Sequence, residues 1–188
     1  MSELRAKTDR MTGVQMAITY PHHEIHGGSS FFTVVTNESM ADNDTLVIAF
    51  KTPAGTKRMH MVWSASTLVG CHMDMLEGPS WTQGTGTAVA IMNRYRQASP
   101  DSSMLLEDKN QATFTASDEI IQDPTSLSGG SASLPVYIFG DKKTTGGEGG
   151  DRDEWIMKPD STIAIRMTAD GGSNKGQIIL SWYEHTDN

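Results

Sequence analysis

The chain is short of several things that other classes of protein need. Of its 188 residues one is cysteine, 7% are aromatic and 20% are charged. A single thiol, Cys71, excludes an internal disulfide framework and a multi-cysteine zinc site. No apolar run approaches the roughly 18 residues of a membrane-crossing helix. The N-terminus has no apolar stretch after its charged residues, so a secretory leader is not expected there. Basic residues are scarce too: 15 Lys and Arg stand against 23 Asp and Glu, a net charge of −8. That sign repels phosphate backbones and argues against nucleic acid as the main partner.

What is present is Gly, Ser and Thr, with 18 glycines, 18 serines and 20 threonines. This profile is unlike a helical bundle or coiled coil and favours strands joined by turns. Short β-branched, aromatic or alternating runs recur at 14–18, 30–36, 45–50, 58–65, 70–76, 87–95, 111–115, 134–139, 162–168 and 177–183. No window shows a sustained 3.6-residue stripe. The spacing predicts about ten strands in an antiparallel sandwich or barrel. Residues 1–13 read as a charged, aperiodic N-terminal arm and residues 14–188 as one domain. Long loops are expected at 78–86, 98–110, 123–133 and 142–153, where length points to function or flexibility.

Each candidate for chemistry has a plainer explanation. His22, His23 and His26 have a spacing that can hold a metal, but Pro21 and Gly27-Gly28 leave room for at most one helical turn, so they read as a polar loop. Strand parity puts Met59, Met61 and Trp63 on one face and His60, Val62 and Ser64 on the other, making His60 a surface or interface imidazole. His72 and Asp74 share a face by the same parity. Cys71 reads as a half-buried hydrophobe. Met59, Met61, Met73 and Met75, among 12 methionines, read as core. The run from Gly146 to Gly150 lacks the Lys-Ser/Thr of a phosphate loop, and Asp151, Asp153 and Glu154 do not follow the EF-hand pattern. No Gly-x-Ser-x-Gly occurs, and no motif supports an enzyme. No cofactor is expected.

The last segment carries a resemblance. Trp155-Ile156-Met157-Lys158-Pro159 leads into Thr162–Thr168, and the chain closes with Ser181-Trp182-Tyr183-Glu184-His185. This resembles small structural proteins of tailed bacteriophages, which have a Trp-x-Leu-x-Pro turn, a strand and a final Trp-Tyr-Glu-His strand. Met157 stands where Leu is usual. Lys57–Val62, then Cys71–Gly78 ending in Glu-Gly, then Met92-Asn93-Arg94-Tyr95-Arg96 are similar as well, with Tyr95 where a second Asn is usual. The resemblance spans about residues 25–187.

It implies a head decoration (cement) protein: a jelly-roll-like sandwich, often a homotrimer, on the capsid exterior, made in the host bacterial cytoplasm. Its partners would be the major capsid protein and itself, with no nucleic acid and no membrane. The family brings no catalytic residues. The arm residues Leu4, Arg5, Lys7 and Arg10 match nothing in the family; their slight basic excess suggests docking on an acidic or strand-edge surface of the capsid protein. The alternative is a head-fibre, tail or baseplate module that binds host-surface carbohydrate. Trp81 with Gln83 is the candidate there, because sugar sites pair an aromatic face with amides or carboxylates.

Overall fold

The computed structural model describes residues 25, 27–52, 56–82, 85–95, 120–132, 137–139, 144–146 and 154–186. Thirteen strands lie among them: β1 (Ser30–Met40), β2 (Thr45–Lys51), β3 (Lys57–Thr67), β4 (Gly70–Glu77), β5 (Thr87–Ala88), β6 (Met92–Asn93), β7 (Ile121–Gln122), β8 (Ser131–Ala132), β9 (Tyr137–Phe139), β10 (Thr144–Gly146), β11 (Trp155–Met157), β12 (Thr162–Asp170) and β13 (Asn174–Thr186). All pair antiparallel. The first sheet runs β10-β3-β13-β1-β6, with β11 sharing the β10 edge of β3. The second runs β5-β7-β2-β12-β4-β8, with β9 on the same edge of β4.

The chain changes sheet at each step from β1 to β4, and β12 and β13 then insert between the strands already laid down. The series β1-β13-β3-β10 and β2-β12-β4-β9 is the strand order of a jelly roll, two Greek keys closed on each other. The fold is therefore the expected all-β antiparallel sandwich.

Alternation builds the core. On β13, Ile178, Leu180 and Trp182 are buried while Ile179 and Ser181 between them are half-buried. On β3, Met59, Met61, Trp63 and Ala65 point inward, and on β4, Cys71, Met73 and Met75 do. The four methionines that parity singled out are thus core. Unbranched thioethers suit a gap between two twisted sheets whose spacing varies. At Gly176 of β13 the core leaves no room for a side chain: a Cβ would lie 2.5 Å from Met167 Sδ and 3.0 Å from Met40 Sδ. The strand β2 departs from alternation: Leu46 to Phe50 are all buried.

Two polar side chains fix the turns. Asn174, 1% exposed, accepts at Oδ1 from Thr67 Oγ1, the Val69 N–H and the Lys175 N–H, each at 2.8 Å, and donates from Nδ2 to the Gly70 carbonyl. It fastens the β3–β4 connection to the start of β13. Thr52 Oγ1 donates to the Lys158 carbonyl at 2.7 Å and accepts from the Ser161 N–H at 2.9 Å. That bond and the positive φ of Asp160 hold the turn after Pro159.

Several boundaries differ from the sequence reading. The span 87–95 splits into β5 and β6, because Val89 bonds back to Ile120 and Thr33 Oγ1 takes the Ala90 carbonyl. The span 123–133, read as loop, contains β8, and 142–153 contains β10, each closing a free strand edge. The expected strands at 14–18 and 111–115 lie outside the described residues, as does the arm.

Candidate functional site: two outward sheet faces

The described residues present two outward faces of different character. On the second sheet, Val47 and Ala49 of β2 meet Ala164 of β12 in a small buried cluster. Trp81, Leu127 and Leu76 pack against it. The cover is held by the segments that carry Trp81 and Leu127: Ser80 and Ser128 exchange backbone bonds at 2.9 Å each way, and the Thr82 N–H reaches the Thr125 carbonyl. This is why β2 is buried on both faces. Trp81 is therefore a half-buried packing residue, and its indole N–H is buried without an acceptor. Gln83 lies outside the described residues.

Beyond that lid the second face is charged. Arg166 Nη2 and Nε lie 2.8 and 3.2 Å from Asp74 Oδ2. His72 Nδ1 lies 2.8 Å from Asp170 Oδ1, and Lys51 Nζ lies 2.6 Å from Asp160. His72 and Asp74 do share this face. Asp74 is 11% exposed and its other oxygen, Oδ1, is buried without a hydrogen bond. Arg166 is thus the group that makes Asp74's burial tolerable.

The first sheet's outward face is of another kind. Phe32, Val34, Val62 and Ile179 are half-buried, with Ser64 and Ser181 among them. The guanidinium of Arg94 sits 5.0 Å above the Phe32 ring and donates to Ser181 Oγ at 2.8 Å. Burial holds its pKa below the usual arginine value. Its position is set by the Asn93 side chain bonding Gly28 and by its own N–H bonding the Ser30 carbonyl.

At the other edge of this face sits a small polar cluster. His60 stacks on Tyr183 with ring centroids 4.7 Å apart, and Tyr183 donates its hydroxyl proton to Glu154 Oε2 at 2.9 Å. The same Glu154 oxygen is 3.4 Å from His60 Nδ1. Parity gave the direction of His60 but not its burial: it is 6% exposed, because Tyr183 on the adjacent strand lies flat against it. Sequence reasoning passed over both Tyr183 and Glu154 as partners. The available signal was that Tyr183 shares the outward parity of Ile179.

Cys71 is fully buried on the inward face of β4, not half-buried. Burial is the main force pushing its thiol pKa up to about 11; Asp170 adds to this and a bond to Thr67 opposes it. A thiol so held is a packing group. No group of three His, Cys, Asp or Glu among the described residues is placed to hold a metal ion. His22, His23, His26, Asp151 and Asp153, and the arm residues Leu4, Arg5, Lys7 and Arg10, lie outside the described residues.

No family model, curated protein or solved structure matches this chain.

Proposed function

We propose that this chain is a non-enzymatic virion structural protein that binds the outside of a phage capsid and braces it. The observation that carries the reading is the placement of its C-terminal unit. Glu154–Thr168 and Ile178–Thr186, which bear the resemblance to phage structural proteins, contain β11 and most of β12 and β13, the central strands of the two sheets. Residues that pack the middle of a sandwich are the ones a structural family would hold in common, whereas a shared activity would leave its trace in a cleft.

The physics of the role fits the material. A decoration protein adds contact across joints between capsid subunits and binds the assembled lattice only, which stabilises it by mass action. Several sites engaged at once raise avidity without strong single contacts. A sandwich resists deformation, and a net charge of −8 suits a protein that sits away from the packaged genome.

Copy number per purified particle, read by quantitative mass spectrometry and by cryo-electron microscopy of the shell, tests the reading. Many copies over the lattice are expected. A few copies at one vertex or in the tail would replace it with a fibre, tail or baseplate role. Removing residues 1–12 is expected to lower capsid occupancy; unchanged occupancy would remove the arm from the mechanism. Glycan-array binding that is lost on Trp81→Ala would instead favour host-surface carbohydrate as the ligand.

A further inference from the structure

The first sheet's outward face stands out by charge. Between Arg58 at one end and the Lys175–Glu38 pair at the other, the outward positions of β1, β13 and β3 hold no Asp, Glu, Lys or Arg. They hold Phe32, Val34, Val62 and Ile179 with small hydroxyls between. On β11, Ile156 extends the apolar surface, 58% exposed and in register with His60. The second sheet's outward face is, by contrast, ion-paired and roofed by Trp81.

Charge also selects the occupant. A basic partner would be drawn to the acidic remainder of a chain whose net charge is −8. A second copy carries that same charge and is repelled everywhere except where carboxylates are missing. Two charged groups overlook the neutral face, and their places are complementary. Arg94 follows β6, and Glu154 precedes β11. In the order β11-β3-β13-β1-β6, each lies two strands from β13, about 10 Å at the usual strand spacing. Their levels are close along the strands: the Arg94 guanidinium bonds Ser181, and Glu154 stands opposite Val62, the register partner of Ser181, with its carboxylate reaching one pair along to His60 and Tyr183.

We infer that two copies of this chain pair face to face through the first sheet, about a two-fold axis running along β13. That operation keeps the level and exchanges the edges. It carries each Arg94 to the partner's Glu154 edge, twice per dimer, as an isologous contact requires. Val62, Val34 and Ile179 close the middle, and each Ile179 and Ser181 meets its own copy at the axis. The second sheets are left outward on both sides. This pairing is independent of the capsid reading and is measured without a capsid.

Sedimentation of the purified full chain tests it. A mass of two chains is expected. Ile179→Glu places like charges across the axis and should weaken pairing by about tenfold or more, while Thr168→Glu on the second sheet should leave it intact. Arg94→Glu and Glu154→Arg should each weaken it, and the two together should restore it. This swap keeps the test open if Ile179→Glu fails to fold. Ser181→Cys should be joined to its copy by a short bis-maleimide. A mass of one chain at about 100 µM, a mass of three, pairing indifferent to Ile179→Glu in a folded protein, or no rescue by the swap would overturn the inference.

Discussion

The two sheets share a core and differ on their backs. The second is finished within the chain: Trp81 and Leu127 roof Val47, Ala49 and Ala164, and two ion pairs and the His72–Asp170 hydrogen bond occupy the rest. The first is left with Phe32, Val34, Val62 and Ile179 half-buried and one arginine over an aromatic ring. The hydrophobic effect draws no distinction between a roof from the same chain and one from another. A face that no described residue roofs is where a further body gains most by docking.

This contrast can be broken or sharpened by substitution. The largest effect is expected from Trp81→Ala, which removes the roof and exposes three buried residues. A loss of about 2–3 kcal/mol in chemical denaturation is predicted, somewhat under that of a fully buried tryptophan. Asp74→Ala comes next, leaving Arg166 without its acceptor, at about 1–2 kcal/mol. A double-mutant cycle with Arg166→Met should recover a coupling of roughly 1 kcal/mol. Phe32→Ala on the open face should cost the isolated chain about 1 kcal/mol or less. If Phe32→Ala proves more damaging than Trp81→Ala, the first face is as finished as the second and the contrast fails.

A pH dependence, confined to alkaline solution, should be shared by both faces because it belongs to the core. The folded thiol of Cys71 has its pKa raised from 9.0 to about 11. The folded state holds the proton more tightly, so the contribution is full below the unfolded value and is lost as pH rises through about 11. Stability should therefore fall with pH across that window, and less so in Cys71→Ala. Native Cys71 should also resist alkylation at pH 8 and react once unfolded. Prompt native alkylation would show that the strand β4 opens easily.

Much of this was legible in the sequence because it rests on local periodicity. Alternation alone oriented Met59, Met61, Trp63 and His60, and placed Met73 and Met75 opposite His72 and Asp74. The two-residue strands were not legible, since β7 and β8 have no periodicity of their own and form only where an exposed edge meets them. The continuous apolar run of β2 announced burial on both faces but not the roof that causes it. The packing of Trp81 was not legible either, because its Gly- and Thr-rich surroundings say nothing of the Ser80–Ser128 bridge that holds its segment against the sheet.

Composition and alternation by themselves determined an all-β chain, the inward set of each long strand and the acidity of the whole. Those follow from side-chain chemistry and a two-residue repeat, which act over neighbours in the chain. Only the tertiary structure decided the jelly-roll order, the burial of His60 under Tyr183 and, among the described residues, the gathering of ion-paired carboxylates on the second sheet's back. Those depend on which distant strands lie side by side: β13 meets β1 and β3 only after the rest of the chain has been laid down.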